Sequence, residues 1–97
     1  MSALVCNPQR GDVTITIDGQ QHRLRLTLGA LAELEHAFAA PDLATLEAAL
    51  RRAAASDMVV VLATLMRAGG GDGSQARNAN PNQAALAIAE AFAASNP

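Results

Sequence analysis

DVTITIDGQQHRLRLTLGALAELEHAF, residues 12–38, holds two alternating runs that meet at Asp18-Gly19 and lead straight into a helical pattern. Asp-Gly between alternating apolar residues is the strongest short-range hairpin signal. Val13, Ile15 and Ile17 share one face of the first strand, and His22, Leu24, Leu26 and Leu28 share one face of the second. A two-residue loop (Asp18-Gly19) and a four-residue loop over residues 18–21 both keep these two sets on the same side, whereas a three-residue loop splits them. The opposite face carries Asp12, Thr14, Thr16, Arg23, Arg25 and Thr27, which belong in water. A two-stranded ribbon is marginal alone, so the rest of the chain must cover its apolar face.

Working outward, residues 28–39 read as a first helix, with Leu31, Leu34 and Phe38 at helical spacing and Thr27 as N-cap. Gly29 in its first turn costs up to roughly 1 kcal/mol against Ala, and a close approach of helix and strand backbones would account for it. Pro41 ends this helix and Asp42 caps the next, where Leu43, Leu46 and Leu50 form the apolar stripe. Ser56 reads as the N-cap of a third helix over 57–68, with Asp57 in its first turn, Arg67 in its last and Gly69 as its stop. Its run MVVVL (58–62) also suits a buried strand, but length, caps and the following ATLMRAGG favour helix. GGGDGSQARNAN (69–80) has the composition of a flexible linker that moves independently of the core. Asn80-Pro81 then offers an N-cap and first-turn proline for a last helix to about residue 94, with Ala85, Ile88 and Phe92 on one face.

The expected fold is therefore α+β, an N-terminal antiparallel β-hairpin packed against three or four short α-helices. Its divisions are a flexible arm over 1–9, a core over 10–68, a Gly-rich linker over 69–81 and a C-terminal helix within 82–97. With 97 residues, the chain suits one domain with a modest core. A net charge of -2, no Trp or Tyr, and only Phe38 and Phe92 as aromatics argue against a nucleic-acid partner. The lone Cys6 excludes an internal disulfide. No basic segment precedes a long apolar run, and the run over 58–63 is too short to span a bilayer, so a cytoplasmic protein without membrane contact is expected.

Candidate chemistry is sparse. Glu33, Glu35 and His36 cluster on the first helix, but no second histidine or cysteine stands at ligand spacing, so a solvated helix face is the reading. His22 reads as a rim residue of the ribbon with no nucleophile at a recognisable spacing. Cys6 has no basic neighbour closer than Arg10, which argues against a reactive thiolate. Gly69-Gly70-Gly71 is not followed by Gly-Lys-Ser/Thr, and Arg23 and Arg25 flanked by threonines read as a solvated strand face. No catalytic residue, metal, cofactor or small-molecule substrate is expected. The third helix stands apart because Met58, Val59, Val60, Val61, Leu62, Leu65 and Met66 make it apolar nearly all round. Such a helix is either central in its domain or shared with a partner. The partner reading places Val59, Leu62 and Met66 on a groove between this helix and the hairpin that receives an apolar helix.

From Arg10 onward the run RGDVTITIDGQQHRLRLTLGALAELEHAF resembles the gene transfer agent family of small phage-tail proteins, grouped with phage tail assembly chaperones. The shared features are the RG before the first strand, the DG turn, RLRLTLGALAELE and a helical tail rich in Ala and Leu. The likeness is good to about residue 50, looser to 70 and poor beyond, where the Gly-rich stretch replaces a more regular helical tail. The resemblance implies a non-enzymatic protein acting in tail assembly as a chaperone-like factor that binds other tail proteins. Its alternative is a structural minor tail or tail-tube component that stays in the particle. An enzyme or metal-binding protein encoded beside the tail genes has no support in the residues. Partners are then other phage-like tail proteins, with weak self-association. The expected location is the cytoplasm or the particle itself.

Overall fold

In a computed structural model, which describes residues 12–94, the hairpin closes through the two-residue loop. The arm expected over residues 1–9, with Cys6, lies outside the described residues. β1 (Asp12–Ile17) pairs antiparallel with β2 (Gln20–Arg25), setting Ile17 opposite Gln20, Ile15 opposite His22 and Val13 opposite Leu24. Asp18 and Gly19 have φ of 50° and 81°. Two consecutive positive values make a type I′ turn, whose twist matches that of the flanking strands. Arg25 Nε donates to Asp12 Oδ1 at 2.6 Å and its Nη2 to Oδ2 at 3.2 Å, tying the open end of the ribbon with a two-point ion pair.

Four helices follow: α1 (Leu28–Ala37), α2 (Leu43–Arg51), α3 (Ala55–Ala68) and α4 (Pro81–Ala94). The α+β class is the one expected from the sequence. Three of the expected starts hold because they rest on local side-chain chemistry. Thr27 Oγ1 accepts from Ala30 N at 3.0 Å, Asp42 Oδ1 from Thr45 N at 2.8 Å, and Asn80 Oδ1 from Asn82 N and Gln83 N. The start of α3 differs. Ser56 is not its cap; the helix begins at Ala55 behind an extended Ala54. Asp57 fixes that start, since its Oδ2 accepts from Ala54 N at 3.1 Å. α1 stops two residues short of the expected end, with Ala39 at φ 52°, Ala39 N donating to His36 O and Ala40 N to Glu35 O. That pair of bonds is a Schellman closure, normally made with glycine.

The core lies between the inner face of the ribbon and a layer of helices. Val13, Ile15, Ile17 and Leu24 pack against α3 and α4, and Leu34 and Leu46 close the side of α1 and α2. Leu28, grouped by alternation with the apolar face of the second strand, is instead the first residue of α1 and is 83% exposed. α4 buries Ala84, Ala87, Ile88 and Ala91, not the expected Ala85, which is exposed; Phe92 is half-buried. The close backbone approach expected at Gly29 occurs at Gly69. A methyl group there would stand 2.3 Å from Arg23 O, while one at Gly29 would meet only Thr27 Oγ1 at 3.8 Å. α3 therefore seats its C-terminal turn directly on the backbone of β2.

The Gly-rich stretch lies against α3. It holds a 3₁₀ turn, Ala76–Asn78, that packs on α3 with Ala76 buried, and a methyl group at Gly73 would be 3.0 Å from Ala63 O. Asp72 Oδ1 accepts from both the amide and the hydroxyl of Ser74 at 2.9 Å, which shapes the loop locally.

Candidate functional site

α3 is the central helix, covered by β2, α1, α4 and the 3₁₀ turn. Val61, Leu62, Thr64, Leu65 and Met66 are buried, Met58 and Val59 are half-buried, and Val60 is 45% exposed. Of the three residues expected to meet a partner, Leu62 and Met66 are each 1% exposed and serve as core of this chain. At its C-terminal end α3 closes onto the hairpin, where Gly69 stands against the Arg23 carbonyl. Val59 lines a small recess of about 110 Å³ beside the 3₁₀ turn and the start of α4, together with Ala76 and Pro81.

The larger opening is on the other flank. α2 leans on α1 and buries only Leu46. Between α2, α3 and α4 this leaves a groove of about 640 Å³, walled by Leu50 on α2, Met58 and Val61 on α3, and Ile88 and Phe92 on α4. Glu47 and Arg51 also line it, on α2. A further recess of about 170 Å³ shares Glu47 and Phe92 with the groove and is bounded by Leu26, Leu28, Leu31 and Leu43. The apolar lining thus continues from the middle of α3 to the starts of α1 and α2, where Leu28 is 83% and Leu43 39% exposed. The sequence held one sign of this: the Leu43, Leu46, Leu50 stripe of α2 is wider than the single position that α2 buries. What it lacked was the direction in which that stripe points.

The polar groups of the described residues offer little chemistry. No group of three or more His, Cys, Asp or Glu side chains among them stands close enough to hold a metal ion. Glu33 pairs with Arg67 across α1 and α3 at 3.4 Å, and His36 is exposed. His22 is half-buried on the inner face opposite Ile15, and its Nε2 has no hydrogen-bond partner among the described residues. The Thr45 amide holds the Asp42 carboxyl below the usual carboxylate range, and the Ser74 amide does the same for Asp72; both are exposed helix-cap or turn positions outside the groove lining. Arg25 is raised further by its hydrogen bond and charge contact with Asp12. No helix among the described residues is long and apolar enough to cross a membrane. The arrangement is suited to enclosing a few apolar side chains of another molecule.

Among known families, the one described as phage tail tube protein, GTA-gp10, has a model that matches residues 10–95. The match carries through the Gly-rich stretch and α4, so the likeness does not stop near residue 70 as the sequence had suggested. No curated protein and no solved structure matches the chain.

Proposed function

The chain belongs to the GTA-gp10 family of phage tail tube proteins, and on that premise we propose that it is a non-enzymatic, structural component of a phage-like tail that binds other tail proteins through the groove of α2, α3 and α4. The observation that carries this reading is the family match over residues 10–95, which takes in all the described residues. It favours a component that stays in the tail over the chaperone-like assembly factor expected from the sequence. The apolar lining supports recognition of an apolar segment of a neighbouring tail protein.

The energetics limit what the groove does alone. Four side chains such as Leu50, Met58, Ile88 and Phe92, if fully exposed beforehand, would gain at most about 1.5–3 kcal/mol each on leaving water. Ile88 is already only 8% exposed, so the real gain is smaller. Association costs about 4–15 kcal/mol in lost freedom. The groove therefore gives weak, reversible binding, and a lasting place in a tail needs additional surface. The reversible contact by itself is also what an assembly factor requires, which keeps that second reading in play.

The groove is tested with Leu50→Glu and Phe92→Ser, two half-buried residues that pack against the core from the groove side. Each variant is expected to fold, and to leave cells producing particles with missing or shortened tails under the electron microscope. Normal tails from cells carrying either folded variant would remove the groove from the account.

A further inference from the structure

α2 presents charges to the groove that its own chain leaves unmatched. Glu47 and Arg51 stand one turn apart and both line the groove, with Leu50 beside them on the same side. An acid four residues ahead of a base is the favourable order for a pair within one helix. Yet neither side chain forms an ion pair with any described residue. Glu47 is half-buried at the wall of both the groove and the smaller recess, and Arg51 is exposed. A half-buried carboxylate beside apolar walls gains most from a cation that an occupant brings with it. The occupant that fits has an apolar side chain to lay near Leu50, Ala53 and Met58, a cation to set against Glu47 and an anion to set against Arg51.

An antiparallel helix meets these demands when it carries an acid and a base about 6 Å apart, the rise of four residues. Among the four helices of this chain only α2 does so, since α1 and α4 hold no arginine and Asp57 and Arg67 lie at opposite ends of α3. We propose that the groove receives α2 of a second copy of this chain, the two helices running antiparallel about a two-fold axis between their Leu50 side chains. Glu47 of each copy then faces Arg51 of the other, so one contact made twice matches all four charges, as a self-complementary interface requires. The axis lies level with residue 49, midway between the charged positions, which sets Leu50 of each copy one residue from it and brings the two leucines together. A parallel pairing would put Glu47 level with Glu47 and Arg51 with Arg51, and like charge opposes it. The inference rests on the reading of the groove as the docking site of a tail protein, and names that protein.

The test is sedimentation equilibrium of the full chain over a wide concentration range, with the two charges exchanged. The parent should pass reversibly from monomer to dimer. Glu47→Arg and Arg51→Glu each set two pairs of like charges across the axis and should raise the dissociation constant about tenfold or more. The double variant Glu47→Arg/Arg51→Glu restores opposite charges and should dimerise like the parent. An equimolar mixture of the two single variants should associate more tightly than either alone, because one then brings arginine at both positions and the other glutamate. A variant that merely misfolds would not be rescued by mixing. A parent that is monomeric at every concentration, single variants that dimerise like the parent, or a mixture no tighter than its components would overturn the proposal. With a monomeric parent, missing tails from Leu50→Glu would leave the groove to a different tail protein. A charge-dependent dimer whose Leu50→Glu variant builds normal tails would keep the pairing and remove its part in the tail.

Discussion

Gly69 and Gly29 carry the same side chain and opposite expectations. At Gly69 an added methyl group would lie 2.3 Å from a backbone oxygen of β2, too close for any rotamer change to relieve. Gly69→Ala is expected to cost about 1–3 kcal/mol, the range for forced overpacking. Gly29 has only an ordinary contact at 3.8 Å, so Gly29→Ala should stabilise by up to about 1 kcal/mol through helix propensity. Denaturant melts of the two variants shifting in the same direction would contradict this packing. The start of α3 offers a second check. Ala54 has no side-chain acceptor, so Ala54→Ser should add a cap worth about 1 kcal/mol, and an unchanged melting midpoint would count against the cap geometry. Asp42 gives a pH test with a definite sign. Its folded carboxyl titrates below the ordinary value of about 4, so its contribution is fully present above that pH and is lost as the pH falls through the folded value. Asn also caps helices well. Asp42→Asn should therefore melt like the parent near neutrality and lose less stability below about pH 4; equal losses on acidification would exclude this role.

At the scale of elements, what was legible in the sequence is what local chemistry decides. The Asp18-Gly19 turn and the caps at Thr27, Asp42 and Asn80 are short-range bonds between neighbours in the chain, and each formed as read. The orientation of α4 was not legible, because alanine occupies almost every face of PNQAALAIAEAFAA and only its neighbours select Ala84, Ala87 and Ala91 for burial. Leu28 misled for a related reason: strand alternation runs into helix at Thr27, and the period changes beneath it. The groove was half legible, as surplus leucine on α2 without a direction. The stretch over 69–80 looked like linker because composition records its glycines and polar residues, while Ala76, with the close approach of Gly73 to Ala63, lays it on α3. Trypsin should therefore cut slowly at Arg77 in the parent and much faster after Ala76→Asp, which makes a buried methyl site carry a charge. Equal cleavage rates at Arg77 in both proteins would mean that the segment is not held by this contact.

For the whole molecule, a small core is divided between a two-stranded ribbon and four helices, and part of the surplus apolar surface lines the groove beside α2. No group of three or more His, Cys, Asp or Glu side chains gathers among the described residues, whereas the groove beside α2 is a means of holding another chain. A tail component needs more than one such surface, since a single contact joins only two chains. Family membership makes this a phage-like tail protein, and the structural part proposed for it is the central claim. Quantitative mass spectrometry of purified, tailed particles tests it most directly. The account predicts this chain in the finished particles at a fixed ratio to the other tail proteins, with peptides recovered from β2 through α4. Particles with complete tails that lack the chain, while it co-purifies with tail proteins from lysates before assembly ends, would contradict a structural role and assign it to assembly alone.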